Sequence, residues 1–127
     1  MLFRSERFHR KVDAGARFAM TQVLFDLEPL RAMLDMLGGT SPIPLLVGLW
    51  PITSHALALR LHNEVPGITV PDGVRARMKE AGERGLRAGI EMAQGLLRDV
   101  RARHAGAYLM PSFGRFEVVA EVLDALH

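Results

Sequence analysis

The side chains with the clearest chemical potential lie where apolar runs of this sequence end. Thr21 and Gln22 interrupt the apolar run of residues 17–25. In parallel α/β proteins, polar residues occur in a strand where its carboxyl end faces a ligand site. A glutamine amide both donates and accepts hydrogen bonds, so Gln22 suits the edge of a heterocyclic ring. The alternative is a strand-end side chain that bonds to loop backbone.

Arg115 is the second candidate, because it follows a Phe-Gly turn after the last apolar run and begins a predicted helix. Its planar guanidinium suits the carboxylate of a ligand. The alternative is an exposed salt bridge with Glu117. The sequence contains no glycine-rich phosphate loop, no serine-elbow motif and no cluster at metal-ligand spacing, so we predict no metal site.

These candidates need a scaffold, and the apolar periodicity predicts one in which helices and strands alternate. The predicted helices cover residues 3–14, 27–37, 55–63, 73–81, 83–103 and 116–126. The predicted strands, each a buried apolar run, cover residues 17–25, 43–50 and 107–110. Such alternation indicates an α/β fold with a parallel sheet joined by right-handed crossovers.

Three parallel strands are few for a complete domain, because both edges of such a sheet stay open. Either the helices cover both faces of a very small sheet, or the chain is part of a larger barrel. The segment that leads into the first strand begins at Lys11, only ten residues after Met1, so little chain precedes it to supply a parallel neighbour. We therefore favour a partial barrel and expect the chain to begin partway through a domain.

The composition of the chain argues against a nucleic-acid-binding, disulfide-bonded or membrane protein. The formal charge of +2 is small and the basic residues are dispersed, which argues against a nucleic-acid partner. The absence of cysteine excludes disulfides and thiolate chemistry and fits a reducing cytosol. The first residues lack a signal-peptide core, and no apolar run approaches the roughly 20 residues that span a bilayer. We expect a soluble, cytoplasmic protein with no membrane partner.

Motifs spread over nearly the whole chain resemble the flavin-dependent methylenetetrahydrofolate reductases. They are Arg10–Ala16, Thr21–Gln22, Phe25–Asp26, Gly48–Ile52, Leu61–Ile68 and Tyr108–Pro111, followed by Arg115 and Glu117. Each motif is short, but together they occur in the order and spacing of the family. The segments His62–Gly67 and Gly89–Ala93 are also similar to versions fused to a homocysteine methyltransferase module.

The resemblance implies a fold and a reaction. The family folds as an eight-stranded (β/α)8 TIM barrel that binds FAD. Residues 1–127 resemble the C-terminal half of that barrel domain, which is the last three β/α units with a leading helix. The family reaction moves a hydride from NAD(P)H to FAD and then to 5,10-methylenetetrahydrofolate, and it yields 5-methyltetrahydrofolate. FAD, NAD(P)H and a folate are therefore the expected cofactor, co-substrate and substrate.

The resemblance also implies roles for single residues. Gln22 matches the glutamine that contacts folate and reduced nicotinamide at the flavin face, and Arg115 matches a substrate-contacting arginine suited to the glutamate tail of folate. Arg10 and Lys11 resemble the basic pair that neutralises the FAD phosphates, although many basic pairs on helices are only solvated. No residue is assigned a catalytic role, because the family's carboxylates for hydride and proton chemistry have no counterpart in this sequence.

Two functions follow from this sequence. The first is flavin-dependent folate reduction as a methylenetetrahydrofolate reductase or a part of one, with the activity of this chain by itself left open. The alternative is a non-catalytic half-barrel that assembles with itself or with a complementary chain. The alternative is motivated by the open edges and open inner face expected of a partial barrel.

Overall fold

The structure, a computed structural model, describes residues 2–127 and the side chains of residues 5–127. Its helices and strands alternate as predicted. In chain order they are α1 (Leu2–Asp13), β1 (Ala19–Val23), α2 (Glu28–Met36), β2 (Leu45–Leu49), α3 (His55–Glu64), α4 (Asp72–Ala81), α5 (Gly85–Arg103), β3 (Gly106–Leu109) and α6 (Phe116–Leu123). Single 3-10 turns lie at Gly82–Arg84, Ser112–Gly114 and Asp124–Leu126.

The strands form one parallel three-stranded sheet in the order β1-β2-β3. Leu46 of β2 pairs in register with Met20 of β1 and with Gly106 of β3. Each connection between neighbouring strands contains at least one helix, as parallel pairing requires. These findings confirm the predicted α/β class and the parallel arrangement.

Helices cover one face of this sheet. Leu45, Val47 and Leu49 of β2 alternate onto that face and are at most 5% exposed. They pack against the apolar stripes of α5 and α6, which consist of Ile90, Ala93, Leu97, Val100, Val118 and Val122. Burial of each such large apolar side chain contributes roughly 1.5–3 kcal/mol. The main core therefore lies between β2 and these two helices.

The prediction that residues 17–25 form a buried strand is wrong for the first part of that run. β1 is only Ala19–Val23, and Phe18 and Met20 are 58% and 56% exposed. These two side chains are two residues apart and point to the face opposite the helices. An apolar run does not reveal whether anything packs on each side of it, so the sequence could not distinguish a covered strand from one with an open face.

β1 changes its pairing near its carboxyl end. Met20 pairs with Leu46, whereas Val23 pairs with Gly48, so β1 has one residue more than β2 in this interval. A bulge of this kind redirects the side chains that follow it. Beyond the bulge, Val23 and Phe25 are buried in a second apolar cluster, whose other members are Ile52, Leu57, Ala58, Leu61, Ile68, Val70 and Met78.

The connector between α3 and α4 closes this second cluster. Ser54 caps the amino end of α3, because its side-chain oxygen accepts a hydrogen bond of 3.1 Å from the backbone N–H of Leu57. At the other end of α3, Nδ1 of His62 accepts a bond of 3.1 Å from the N–H of Val70. His62 thus holds the connector against the helix that precedes it, which is a structural role.

A single side chain ties the three strands together at their carboxyl ends. The hydroxyl of Tyr108, in β3, donates a hydrogen bond to the backbone carbonyl of Thr21, in β1. To reach it, the Tyr108 ring crosses Gly48 of β2, where a Cβ would lie only 2.5 Å from the ring. The Gly48 N–H in turn donates to the Thr21 hydroxyl at 3.0 Å. Glycine at position 48 is what leaves room for this crossing.

We expect Tyr108→Phe to weaken the attachment of β1 to the sheet. The variant keeps the ring over Gly48 but removes the donor to Thr21, and a hydrogen bond of this type contributes about 1 kcal/mol. Urea unfolding would measure the loss, and hydrogen exchange would show faster exchange in β1. Unchanged stability together with unchanged exchange in β1 would contradict this role.

α5 approaches the loop after β2 closely enough to require glycine. A Cβ on Gly89 would lie 1.5 Å from the backbone oxygen of Ile52. Gly95, in the same helix, has no atom within 4 Å of the corresponding position. The contact at Gly89 therefore sets the distance between α5 and the carboxyl end of β2.

Gly89→Ala should destabilise the fold by about 3 kcal/mol or more, because α5 or the Ile52 backbone must move to accept the methyl group. Gly95→Ala is the matched control. Alanine is favoured over glycine in an open helix position, so this variant should gain up to about 1 kcal/mol. Thermal or urea unfolding measures both variants, and equal stability of the two proteins would contradict the packing described for Gly89.

Candidate functional site

The carboxyl ends of the three parallel strands meet at one edge of the sheet, which we call the carboxyl edge. Gln22 lies near the end of β1, Trp50 directly follows β2, and the loop Met110–Arg115 follows β3. In β/α barrels, ligands bind at this edge because the loops that follow the strands converge there. The structure therefore brings Gln22 and Arg115, two of the residues selected from the sequence, to the same edge.

Gln22 is exposed and is held by its own strand. Its Oε1 accepts a hydrogen bond of 3.0 Å from the backbone N–H of Val23. Its Nε2 faces the connector, 3.7 Å from the point where a Cβ of Gly67 would stand. The amide oxygen is thus turned toward the backbone of β1 itself rather than toward a loop, while the amide nitrogen keeps its two donors available for a ligand.

Arg115 forms the ion pair that the sequence offered as its alternative role. Its Nε lies 3.1 Å from Oε1 of Glu117, and both side chains are largely exposed. The pKa of Glu117 is lowered, first by a hydrogen bond from its own backbone N–H and then by the bond from Arg115. Exposed ion pairs contribute little to stability, so a ligand carboxylate can replace Glu117 at small cost.

Gln22 and Arg115 do not contact each other. They follow the two outer strands of the sheet, with β2 between them. A ligand that contacts both must therefore extend along the carboxyl edge. A ring system with a flexible acidic tail has that shape.

Arg10 and Lys11 lie elsewhere. Both are exposed in the last turn of α1, and only residues 14–18 separate α1 from the amino end of β1. The backbone of this turn is folded tightly, since Ala14 and Ala16 donate to the carbonyls of Arg10 and Lys11. The structure thus places the basic pair near the amino end of β1 and does not bring it next to Gln22.

A cleft of about 250 Å³ at the carboxyl edge was not predicted from the sequence. Its walls include Trp50, Phe113 and Pro111, with the apolar face of α3 below them. The ion pair between Arg60 and Glu64 of α3, at 3.7 Å, lies at its rim. The sequence could have indicated this cleft only through the positions of Trp50 and Phe113, because each follows one of two neighbouring parallel strands.

Metal binding and membrane spanning can be considered for the part of the chain that is described. Within it, no group of three or more His, Asp or Glu side chains is placed to hold a metal ion. No helix among residues 2–127 has both the length and the apolar character needed to cross a membrane.

Comparison with known proteins agrees with the architecture. The family model for methylenetetrahydrofolate reductase matches residues 3–126, which is nearly the whole chain. Comparison with individual curated proteins gives no match. The reductase family folds as a TIM barrel, and the parallel sheet with its helices is consistent with a part of such a barrel, as predicted. The chain belongs to the methylenetetrahydrofolate reductase family.

Proposed function

We propose that the chain forms the C-terminal half of a methylenetetrahydrofolate reductase barrel and takes part in the reduction of 5,10-methylenetetrahydrofolate to 5-methyltetrahydrofolate. In this proposal β1, β2 and β3 are the last three strands of the barrel, and α1 is the leading helix. The observation that carries it is the family match over residues 3–126. The open carboxyl edge with Gln22, Trp50 and Arg115 supports it, because barrels bind their ligands at this edge.

FAD would supply the redox chemistry, with NAD(P)H as the source of the hydride. The task of this chain is to bind and orient the substrate. Gln22 directs its amide nitrogen toward an acceptor on the pterin or nicotinamide ring, since its amide oxygen is already bonded to the N–H of Val23. A fixed acceptor leaves the amide in a single orientation, which favours one way of presenting the ring.

Arg115 would bind the glutamate tail of the folate. In the structure its Nε bonds to the exposed carboxylate of Glu117, and the tail carboxylate replaces that partner when substrate binds. Because Gln22 and Arg115 follow the two outer strands of the sheet, a ligand with its ring at Gln22 and its tail at Arg115 would span the carboxyl edge.

Arg10 and Lys11 would neutralise the phosphates of FAD. This assignment rests on the family resemblance, and the structure adds that both side chains are exposed in the last turn of their helix. Because the pair lies near the amino end of β1, a cofactor bound at the carboxyl edge would have to extend along the length of β1 to reach it. The proposed role of Arg10 and Lys11 can therefore be wrong while the roles of Gln22 and Arg115 are right.

The proposal is tested by titrating the chain with 5-methyltetrahydrofolate in a calorimeter and with FAD by flavin fluorescence. Gln22→Ala should weaken folate binding by about tenfold, the equivalent of one good hydrogen bond. Gln94→Ala is the matched control, because Gln94 lies on α5 and bonds to the carbonyl of Glu121, away from the carboxyl edge. It should leave folate affinity unchanged.

The outcomes separate the parts of the proposal. A chain that binds neither FAD nor the folate would contradict the reductase assignment. Folate binding that is equal in the wild type and in Gln22→Ala would retain the family function but remove the proposed role of Gln22.

A second function is favoured by the open face of the sheet. Phe18, Met20 and Met110 are 58%, 56% and 42% exposed, and large exposed apolar side chains that share one surface are typical of an interaction site. In the described residues the outer edges of β1 and β3 also lack a paired strand. We propose that the chain assembles through this face with a second copy or with a complementary half-barrel.

Assembly is tested by sedimentation of the chain over a range of concentrations. We expect a dimer or larger species that Met20→Lys dissociates, because a charge in the apolar contact is costly to desolvate. Ala76→Lys is the matched control, since Ala76 is exposed on α4, outside the open face. A monomeric wild type at all concentrations would contradict self-assembly.

A further inference from the structure

Ser112 is the buried polar side chain of the described part of the chain, with only 1% of its surface exposed. Its hydroxyl accepts a hydrogen bond from the indole N–H of Trp50 and donates one of 3.2 Å to the carbonyl of Pro51. An indole N–H can only donate, and a carbonyl can only accept. A hydroxyl satisfies both partners at once, whereas an aliphatic side chain satisfies neither.

These two bonds join neighbouring loops of the carboxyl edge. Trp50 and Pro51 follow β2, and Ser112 follows β3, 62 residues after Trp50. The bonded Trp50 is also a wall of the cleft described above. The hydrogen bond to Ser112 therefore fixes the orientation of the Trp50 ring in the wall of the cleft.

The turn that begins at Ser112 fixes the second aromatic side chain of the cleft. Phe113 has a φ of +51° and Gly114 a φ of +73°. The turn is closed by a bond of 3.0 Å from the Arg115 N–H to the carbonyl of Ser112. A left-handed phenylalanine is strained, and such strain persists only where the surroundings impose it.

Packing does not explain the position of Phe113, because this side chain is 77% exposed. An aromatic ring held in a strained turn, open to solvent and lining a cleft with Trp50, is suited to contact a flat ligand ring. The strain and the exposure are separate observations, and both indicate a binding surface.

We propose that Ser112 is a positioning residue for substrate binding. Its side chain orients Trp50, and its backbone holds the turn that presents Phe113 and leads through Arg115 into α6. The cleft then offers two aromatic side chains to a planar ring of the folate while Arg115 remains near the acidic tail. This inference rests on the proposed function. It adds a residue that does not contact the ligand but holds the residues that do.

A purely structural role for Ser112 predicts a different result. If its hydroxyl only satisfies the buried Trp50 N–H, its loss lowers stability and leaves the affinity for ligand unchanged. A positioning role requires that the mobility of the Trp50 ring and the affinity change together. The chain offers a direct probe, because Trp50 is its single tryptophan.

The test compares Ser112→Ala with Val118→Ala. Val118 is 2% exposed in the main core, so its truncation also lowers stability but lies outside the cleft. Ser112→Ala should increase the motion of the Trp50 ring in time-resolved fluorescence anisotropy and weaken 5-methyltetrahydrofolate binding about fivefold. Val118→Ala should change neither quantity, and Ser112→Thr, which keeps the hydroxyl, should restore both.

The positioning role of Ser112 can be overturned by either of two results. Wild-type ring mobility and affinity in Ser112→Ala would overturn the proposal, as would equal effects in Val118→Ala. If Ser112→Ala does not fold, Ser112→Cys replaces it, because a thiol is only a weak hydrogen-bonding group and the variant keeps Trp50 as the probe. It should also raise the mobility of the Trp50 ring and weaken binding together, and wild-type values of both would overturn the proposal. If the wild type does not bind the folate, the proposed function fails, while the anisotropy comparison still tests whether Ser112 orients Trp50.

Discussion

The structure depends on the burial of β2, the one strand of the described sheet that has a neighbour on both sides. Val47 and Leu49 are completely buried against α5 and α6, and α5 comes so close to the end of β2 that Gly89 has no room for a side chain. β1 and β3 are attached to the fold mainly through their pairing with β2. The strand ends, and with them the carboxyl edge, are therefore positioned relative to one central element.

The two faces of the sheet differ as a consequence. The helix-covered face has a continuous core, whereas the other face exposes Phe18 and Met20 and is crossed by the Tyr108 ring at Gly48. In a closed barrel this second face points inward, where side chains from all strands fill the interior. An uncovered face of this kind links the two proposed functions, because closing the barrel and assembling with another chain would bury the same surface.

The sequence predicted the elements well because their signals are local. A capping residue followed by an apolar stripe predicts a helix, as at Ser54 and α3. An unbroken apolar run predicts a buried strand, as at residues 45–50. Both patterns involve only residues that are close together in the sequence. The burial of Phe18 and Met20 was predicted wrongly because burial depends on what packs from elsewhere in the chain. The pair of Arg115 and Glu117 was anticipated from a spacing of two residues. The cleft was not, since Trp50 and Phe113 meet only through the pairing of β2 with β3, and nothing local marks Ser112 as buried.

The manner in which β3 is held has consequences for the site. None of its residues is fully buried. Side-chain hydrogen bonds supplement its pairing with β2: Tyr108 reaches across to β1, and Ser112, just after β3, reaches Trp50. Hydrogen bonds are directional, whereas apolar contacts tolerate sliding, so these bonds fix the orientation of the loop as well as its distance. A loop fixed in this way can present Phe113 and Arg115 in one arrangement, and ligand affinity should then respond to the loss of single polar groups far more than the modest burial of β3 would suggest.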